Sequence, residues 1–376
     1  MDIGKIDRNM NQAAVTRDGM KFYTLPCEPF KIYGVRHGEN GFYRLDPEFA
    51  ASISEGVKFL ATNTAGGRVR FKTNSKTLKA IVKYKNFCCM GHMPLTGSSG
   101  LSVVDVTRRE WKFMGSIRPE RNDEHGYEGS VNLSGEMHEY VLWMPLYNDV
   151  DELTIGLDED AVVEKGHEYG YDGKPIVYYG SSITQGACAS RPDNSYEALI
   201  SKFVCADFVN LGFSGNAKGE PELARYAADL NPLAFVIDYD HNAPDAEYLK
   251  NTHYQFYRAF RKENKTAPVI FVSRPDVERD PSCAARKAVI KESYRKAKAA
   301  GDEVYFVDGS EMFIGKMREN CTVDGCHPND FGFFRMAVAI GGMIFDILYK
   351  RGKREQAAKN EQAAKNEQAA KSAKTE

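Results

Sequence analysis

The stretch KPIVYYGSSITQGACAS, residues 174–190, decides how the chain reads. Residues 176–179 are a short unbroken apolar run, as a buried strand shows. The run stops at Gly180 and gives way to Ser181, Ser182, Thr184 and Gly186. A serine just past a strand, in a glycine-flanked turn, can present its Oγ above the edge of a sheet. The same residues would serve equally well as a hydroxyl-rich turn capping the next helix. The rest of the chain has to choose between these two readings.

Downstream, apolar runs alternate with helical patterns. Strands are expected at 176–179, 207–211, 234–238, 269–272 and 304–307, with helices near 195–204, 221–230, 248–262, 284–300 and 332–349. Continuous apolar strands alternating with helices indicate a parallel sheet covered on both faces. Ligands bind beyond the carboxyl ends of such strands, and Ser182 stands at one of those ends.

Upstream, the texture differs. Residues 68–72 and 78–85 alternate polar and apolar, and further strands are expected at 101–106, 111–117, 139–146 and 152–157. Turn residues separate them and no strong helical pattern intervenes. Short strands at this spacing predict an antiparallel β-sandwich, most simply a jelly roll. The linker Glu168-Tyr-Gly-Tyr-Asp-Gly-Lys-Pro divides the chain into a sandwich at 1–170 and an α/β domain at 171–352. Residues 353–376 repeat Glu-Gln-Ala-Ala-Lys-Asn, with Glu four residues before Lys and no apolar stripe. That tail reads as a solvated helix outside any site.

Composition excludes several classes. Of the 376 residues, 27% are charged and the formal net charge is −2, so no nucleic-acid or anionic-membrane partner is indicated. The N-terminus MDIGKIDRNMNQ has no apolar core, and no run of about 18 apolar residues predicts a membrane span. The eight cysteines form no CxxC pair and read as reduced thiols of a cytoplasmic protein. Homo-oligomerisation stays open.

Three further segments carry chemistry. Asn210-Leu-Gly-Phe-Ser-Gly-Asn follows a strand, and Gly215 there lets backbone approach a ligand closely. Asp240-His-Asn follows the next strand, and Asn242 can donate to an oxyanion or cap a helix. In Asp324-Gly-Cys-His, a carboxylate three residues before His327 can orient an imidazole that takes a proton from Ser182. Each segment alone is also an ordinary turn or cap. Their order, the first three directly after successive strands, is more specific.

In these residues the chain resembles the SGNH (GDSL-like) hydrolases, over roughly 174–349. The resemblance implies a three-layer α/β/α fold and a serine esterase that needs no cofactor. It implies Ser182 as nucleophile, His327 as base and Asp324 as its orienting acid. The oxyanion hole it implies is the Ser182 and Gly215 N–H groups with the Asn242 side chain. Two positions depart from the family pattern: Ser181 replaces the aspartate of Gly-Asp-Ser, and Asp240-His-Asn-Ala replaces Gly-x-Asn-Asp. The stretch Ser98-Ser-Gly-Leu-Ser-Val-Val-Asp-Val-Thr resembles a loose GxDLY motif of the sandwich preceding some SGNH esterases. The same two-domain arrangement occurs in carbohydrate esterase family two. It implies removal of O-acetyl groups from oligosaccharides derived from xylan or mannan, with a short-chain lipase or thioesterase as the alternative.

Some residues have weaker readings. Arg274 and His241 are candidate substrate contacts, and Arg274 could equally hold its loop by an ion pair. Trp111, Trp143 and the tyrosines lie in strand patterns and read mostly as core. Cys321, Cys326 and His327 are too loosely spaced for a metal site, so no metal is expected.

Overall fold

The computed structural model describes residues 14–108, 110–275 and 282–372. The opening stretch read for targeting and the last four residues of the tail lie outside them.

The C-terminal part is built on five parallel strands, Ile176–Gly180, Phe208–Gly212, Ala234–Asp238, Val269–Val272 and Val304–Val307. In the sheet, Phe208–Gly212 is at one edge, followed by Ile176–Gly180 and then the other three in chain order. Helices Tyr196–Val204, Pro221–Asp229, Ala246–Glu263 and Cys283–Ala299 and the long helix Asp330–Ser372 cover it. The pairing sets the site. Gly180 is in register with Gly212 on one side and Asp238 on the other, so three loops leave the sheet at one level.

The last helix needs a correction to the sequence reading. Its part Asp330–Arg354 is long and apolar enough to cross a membrane by length and composition; an 18-residue window in it has mean hydropathy 1.7, and half of that window is buried within the fold. Phe333, Met336, Ala337, Ile340, Ile344 and Ile347 pack into the same cluster as Ile176, Tyr178 and Phe208. Burial against the sheet thus accounts for much of its apolar character.

The N-terminal part holds two antiparallel sheets. One is ordered Ala14–Arg17, Met20–Thr24, Glu152–Asp158, Thr77–Lys83, Gly126–Asn132. The other runs Val163–Lys165, Arg68–Thr73, His138–Trp143, Leu101–Asp105, Lys112–Ile117, with Lys31–Tyr33 also on Arg68–Thr73. Phe71, Leu78, Tyr140, Leu142 and Ile155 fill the space between them, as expected for a sandwich.

Three short helices interrupt this β region, where the sequence reading had none: Pro47–Ile53, Glu55–Ala61 and the single turn Leu95–Ser98. Pro47–Ile53 is capped by Asp46, which accepts the N–H groups of Glu48 and Phe49, and Glu55–Ala61 is capped by Ser54, which accepts that of Val57. The first two are only seven residues long, too short to show periodicity but well capped. Ala50, Val57, Leu60 and Ala61 share a core with Val177, Tyr179, Leu211 and Phe213 of the parallel sheet.

Two buried arginines join the halves. Arg68 donates from Nε to the Tyr169 hydroxyl at 2.8 Å and pairs with Asp207. Arg44 donates to the carbonyls of Asn63 (2.8 Å), Leu60 (2.6 Å), Asn210 (3.1 Å) and Gly212 (2.6 Å) and to Asn210 Oδ1 (3.2 Å). Burial pushes the Arg44 guanidinium down to about 9, against the opposing pull of Tyr147 and Glu197.

Candidate active site

Ser182 opens a one-turn helix, Ser182–Gln185, directly after the first parallel strand. Gly180 is required there because a Cβ would run into the Asp238 carbonyl and the Thr184 side chain. Ser181, at the position where the family has aspartate, accepts the Ile183 N–H at 3.2 Å and caps the turn. As the first residue of a helix, Ser182 keeps its N–H free of intrahelical bonding.

Ser182 Oγ lies 2.9 Å from His327 Nε2, and His327 Nδ1 lies 2.7 Å from Asp324 Oδ2. With Nδ1 protonated toward the carboxylate, Nε2 has its lone pair facing the serine hydroxyl. The loop fixes the carboxylate as well: Asp324 Oδ1 accepts the N–H groups of Cys326 (2.9 Å) and His327 (2.8 Å). Desolvation would raise the Asp324 carboxyl, but the His327 side-chain hydrogen bond and these N–H groups outweigh it and hold it at about 2. Its negative charge therefore persists through the neutral pH range.

The second loop brings in Gly215. Phe213 N–H donates to the Gly180 carbonyl at 2.9 Å. Gly215 has φ +69°, a left-handed conformation that glycine adopts without strain, and a Cβ on it would meet no atom within 4 Å. The third loop brings in Asn242, 8% exposed, whose Nδ2 donates to the Phe213 carbonyl at 2.9 Å. An amide nitrogen has two hydrogens, so one holds the Gly215 loop and the other remains for a ligand.

Several residues that sequence reasoning missed complete this arrangement. Buried Gln185 accepts the Ser214 N–H at 3.0 Å and donates to Asn63 Oδ1 (3.0 Å) and the Leu146 carbonyl (3.2 Å). Tyr147, from the sandwich part, donates to the Ser182 carbonyl at 3.1 Å. Thr184 and Tyr196 donate to Asp238 at 3.4 and 3.3 Å beneath the nucleophile turn. Burial and the neighbouring Asp240 push the Asp238 carboxyl up to about 8. Gln185 was visible within the quoted stretch, but its partners come from loops that sequence order does not connect.

Of the weaker candidates, Arg274 gives its backbone N–H to Asp240 Oδ2 at 3.3 Å, and its charge also acts on that carboxylate. His241 Nδ1 lies 3.7 Å from Cys326 Sγ, beside the catalytic loop. Trp143 is core. Cys188 is held as a thiol, pushed up to about 12 by burial and by nearby Asp324 and Cys326, so it offers no competing thiolate. Cys321 is buried with its Sγ 3.6 Å from the Met317 carbonyl.

Comparison with known proteins agrees with both halves. Residues 173–344 match the GDSL-like lipase/acylhydrolase family, and residues 20–163 match the GxDLY family, the N-terminus of SGNH hydrolase-type esterases. Among solved structures, a protein described as a GDSL-like lipase from Bacteroides ovatus ATCC 8483 is 29% identical, with a TM-score of 0.79 over 87% of this chain and 98% of that one. The salicylyl-acyltransferase SsfX3 from a tetracycline biosynthetic pathway is 17% identical (TM-score 0.67; 86% and 96% covered). An acetyl xylan esterase, Est2A, from the rumen bacterium Butyrivibrio proteoclasticus is 13% identical (TM-score 0.55; 88% and 98% covered). No curated protein matches the chain. Two family matches that together run from the sandwich to the last helix, on a fold shared with these structures, make this chain a GDSL-like SGNH hydrolase with a GxDLY domain, and thus a serine ester hydrolase.

Proposed function

We propose that the chain removes O-acetyl groups from oligosaccharides through an acyl-enzyme on Ser182. The observation that carries this reading is the unbroken chain of hydrogen bonds from Ser182 Oγ through His327 to Asp324. In the proposed reaction Ser182 Oγ attacks the acetyl carbonyl while His327 Nε2 takes its proton. The developing oxyanion is held by the N–H groups of Ser182 and Gly215 and the second hydrogen of Asn242 Nδ2. His327 then protonates the departing sugar hydroxyl. Water repeats the sequence, and acetate leaves.

The sugar assignment draws on the sandwich-plus-hydrolase fold shared with the acetyl xylan esterase and on the way the sandwich part walls the site. Thr96 Oγ1 donates to the Ser190 carbonyl at 2.6 Å, and Tyr147 reaches Ser182. Eight free cysteines favour a reducing, cytoplasmic location, where the substrate would be an imported oligosaccharide. A short-chain lipase or thioesterase is the second reading. It is favoured by an apolar groove of about 510 Å³ lined by Ile314, Met317, Phe331, Phe334 and Val338.

The test is acetate release from acetylated xylan- and mannan-derived oligosaccharides, with Ser182→Ala beside the wild type. Release that disappears in the variant supports the reading. No release by a wild type that cleaves longer acyl esters or thioesters would move the assignment to the second reading.

A further inference from the structure

We propose that His92, Asp324 and His327 form a zinc site whose occupation switches the esterase off. The sequence reading set metal aside because Cys321, Cys326 and His327 are poorly spaced. The fold brings a different group together. One ligand atom from each of His92, Asp324 and His327 lies within 4.8 Å of the other two. His92 belongs to the sandwich part and is far from the catalytic loop in sequence, yet its ring centroid is 6.0 Å from that of His327.

The chemistry suits zinc. Two imidazole nitrogens and one carboxylate oxygen are borderline ligands that zinc takes at about 2.0–2.2 Å, with water completing an open tetrahedron. That tetrahedron needs ligand atoms about 3.4 Å apart, from these bond lengths. Closing from 4.8 Å requires a shift of at most about 1.4 Å. His92 is exposed and follows Gly91, so a side-chain rotation can supply it. Asp324 is already oriented by the Cys326 and His327 N–H groups. Beside the cluster, His92, Cys89, Met90 and Arg118 line a cavity of about 520 Å³, with room for the ion's remaining water ligand.

Inhibition follows from the electron count at His327. A neutral imidazole has one nitrogen lone pair, and its other nitrogen carries hydrogen. If zinc binds Nε2, the lone pair facing Ser182 is donated to the metal. If zinc binds Nδ1, Nε2 must carry the hydrogen. In both cases His327 cannot accept the Ser182 proton. This consequence rests on the role proposed above for His327; the binding itself does not.

The full-length chain, stripped by a chelator, is titrated with zinc against a chromophoric competitor, and in parallel assayed on p-nitrophenyl acetate. The wild type is expected to bind one equivalent, and bound zinc to abolish hydrolysis until EDTA restores it. His92→Ala should weaken binding at least about tenfold and shift the inhibition midpoint equally, each variant compared with its own zinc-free rate. Cys89→Ser, in the same cavity wall, should bind like wild type. The proposal is overturned if the wild type binds no stoichiometric zinc, if His92→Ala binds as tightly, or if Cys89→Ser loses the ion. A chain that binds zinc through His92 but cleaves no ester would keep the site and sink the esterase reading instead.

Discussion

The Gln185 carboxamide oxygen accepts the Ser214 N–H at 3.0 Å, one residue before Gly215. Its nitrogen meanwhile donates to Asn63 and Leu146, both in the N-terminal half. Gln185 therefore anchors the loop that bears Gly215, the proposed oxyanion donor, to the other half. Gln185→Leu should lower kcat by on the order of 10- to 100-fold, as small misplacements of catalytic donors do. KM should change little, because the substrate surface is untouched. Active-site titration with a fluorophosphonate separates this from misfolding. Unchanged turnover per labelled site would remove Gln185 from the machinery.

Asn242 holds the Phe213 carbonyl at 2.9 Å, and in the proposed reaction its second hydrogen goes to the oxyanion. Asn242→Ala should reduce kcat by roughly 10²–10³. The steady-state rate on p-nitrophenyl acetate reads it directly. A variant with normal kcat would show that the two backbone N–H groups suffice.

These two residues also mark what the sequence could disclose. All five parallel strands were readable within a residue or two because each is a mostly apolar, largely buried run. Ser182, Gly215 and Asn242 were legible because each follows such a strand, and register then aligns Gly180, Gly212 and Asp238. The sandwich strands Gly126–Asn132 and Met20–Thr24 were not found. Their exposed, polar or glycine-rich positions blur the alternation, and their pairing partners Thr77–Lys83 and Glu152–Asp158 fix them from far along the chain. Helices Pro47–Ile53 and Glu55–Ala61 were missed for another reason, since they owe their place to a core contributed by the other half. Gln185, Arg44 and His92 could not be assigned from sequence because their meaning lies wholly in contacts across the halves.

Arg44 shows how far that dependence goes. Its guanidinium satisfies the carbonyls of Asn63, Leu60, Asn210 and Gly212, deep between the halves. Arg44→Met leaves these acceptors buried without their donor, each omission costing about 1–3 kcal/mol. Removing a costly buried charge offsets part of this, so a net loss of about 3 kcal/mol is expected. Arg44→Lys should not restore stability, because an ammonium lacks the planar fork that spans these acceptors. Urea denaturation midpoints test both. A Lys variant as stable as the wild type would show that charge rather than geometry matters there.

The pH dependence of stability should report on Asp238. Unfolded, an aspartate titrates near 3.9; folded, Asp238 is held up at about 8 by burial first and by Asp240 second. Between those values the native state keeps a proton that the unfolded state has released, so the free energy of unfolding falls as pH rises. Asp238→Asn cannot ionise, yet still offers an oxygen to the Thr184 and Tyr196 hydroxyls. Its melting temperature should therefore exceed the wild type's by a margin that widens from pH 5 to pH 8. The neighbouring carboxyls of Asp240 and Glu197 are raised in the same direction, so some slope should remain in the variant, and the difference between the two curves isolates the share of Asp238. Parallel curves over that range would mean that Asp238 is ionised in the native protein, with its charge met by the hydroxyls that now donate to it.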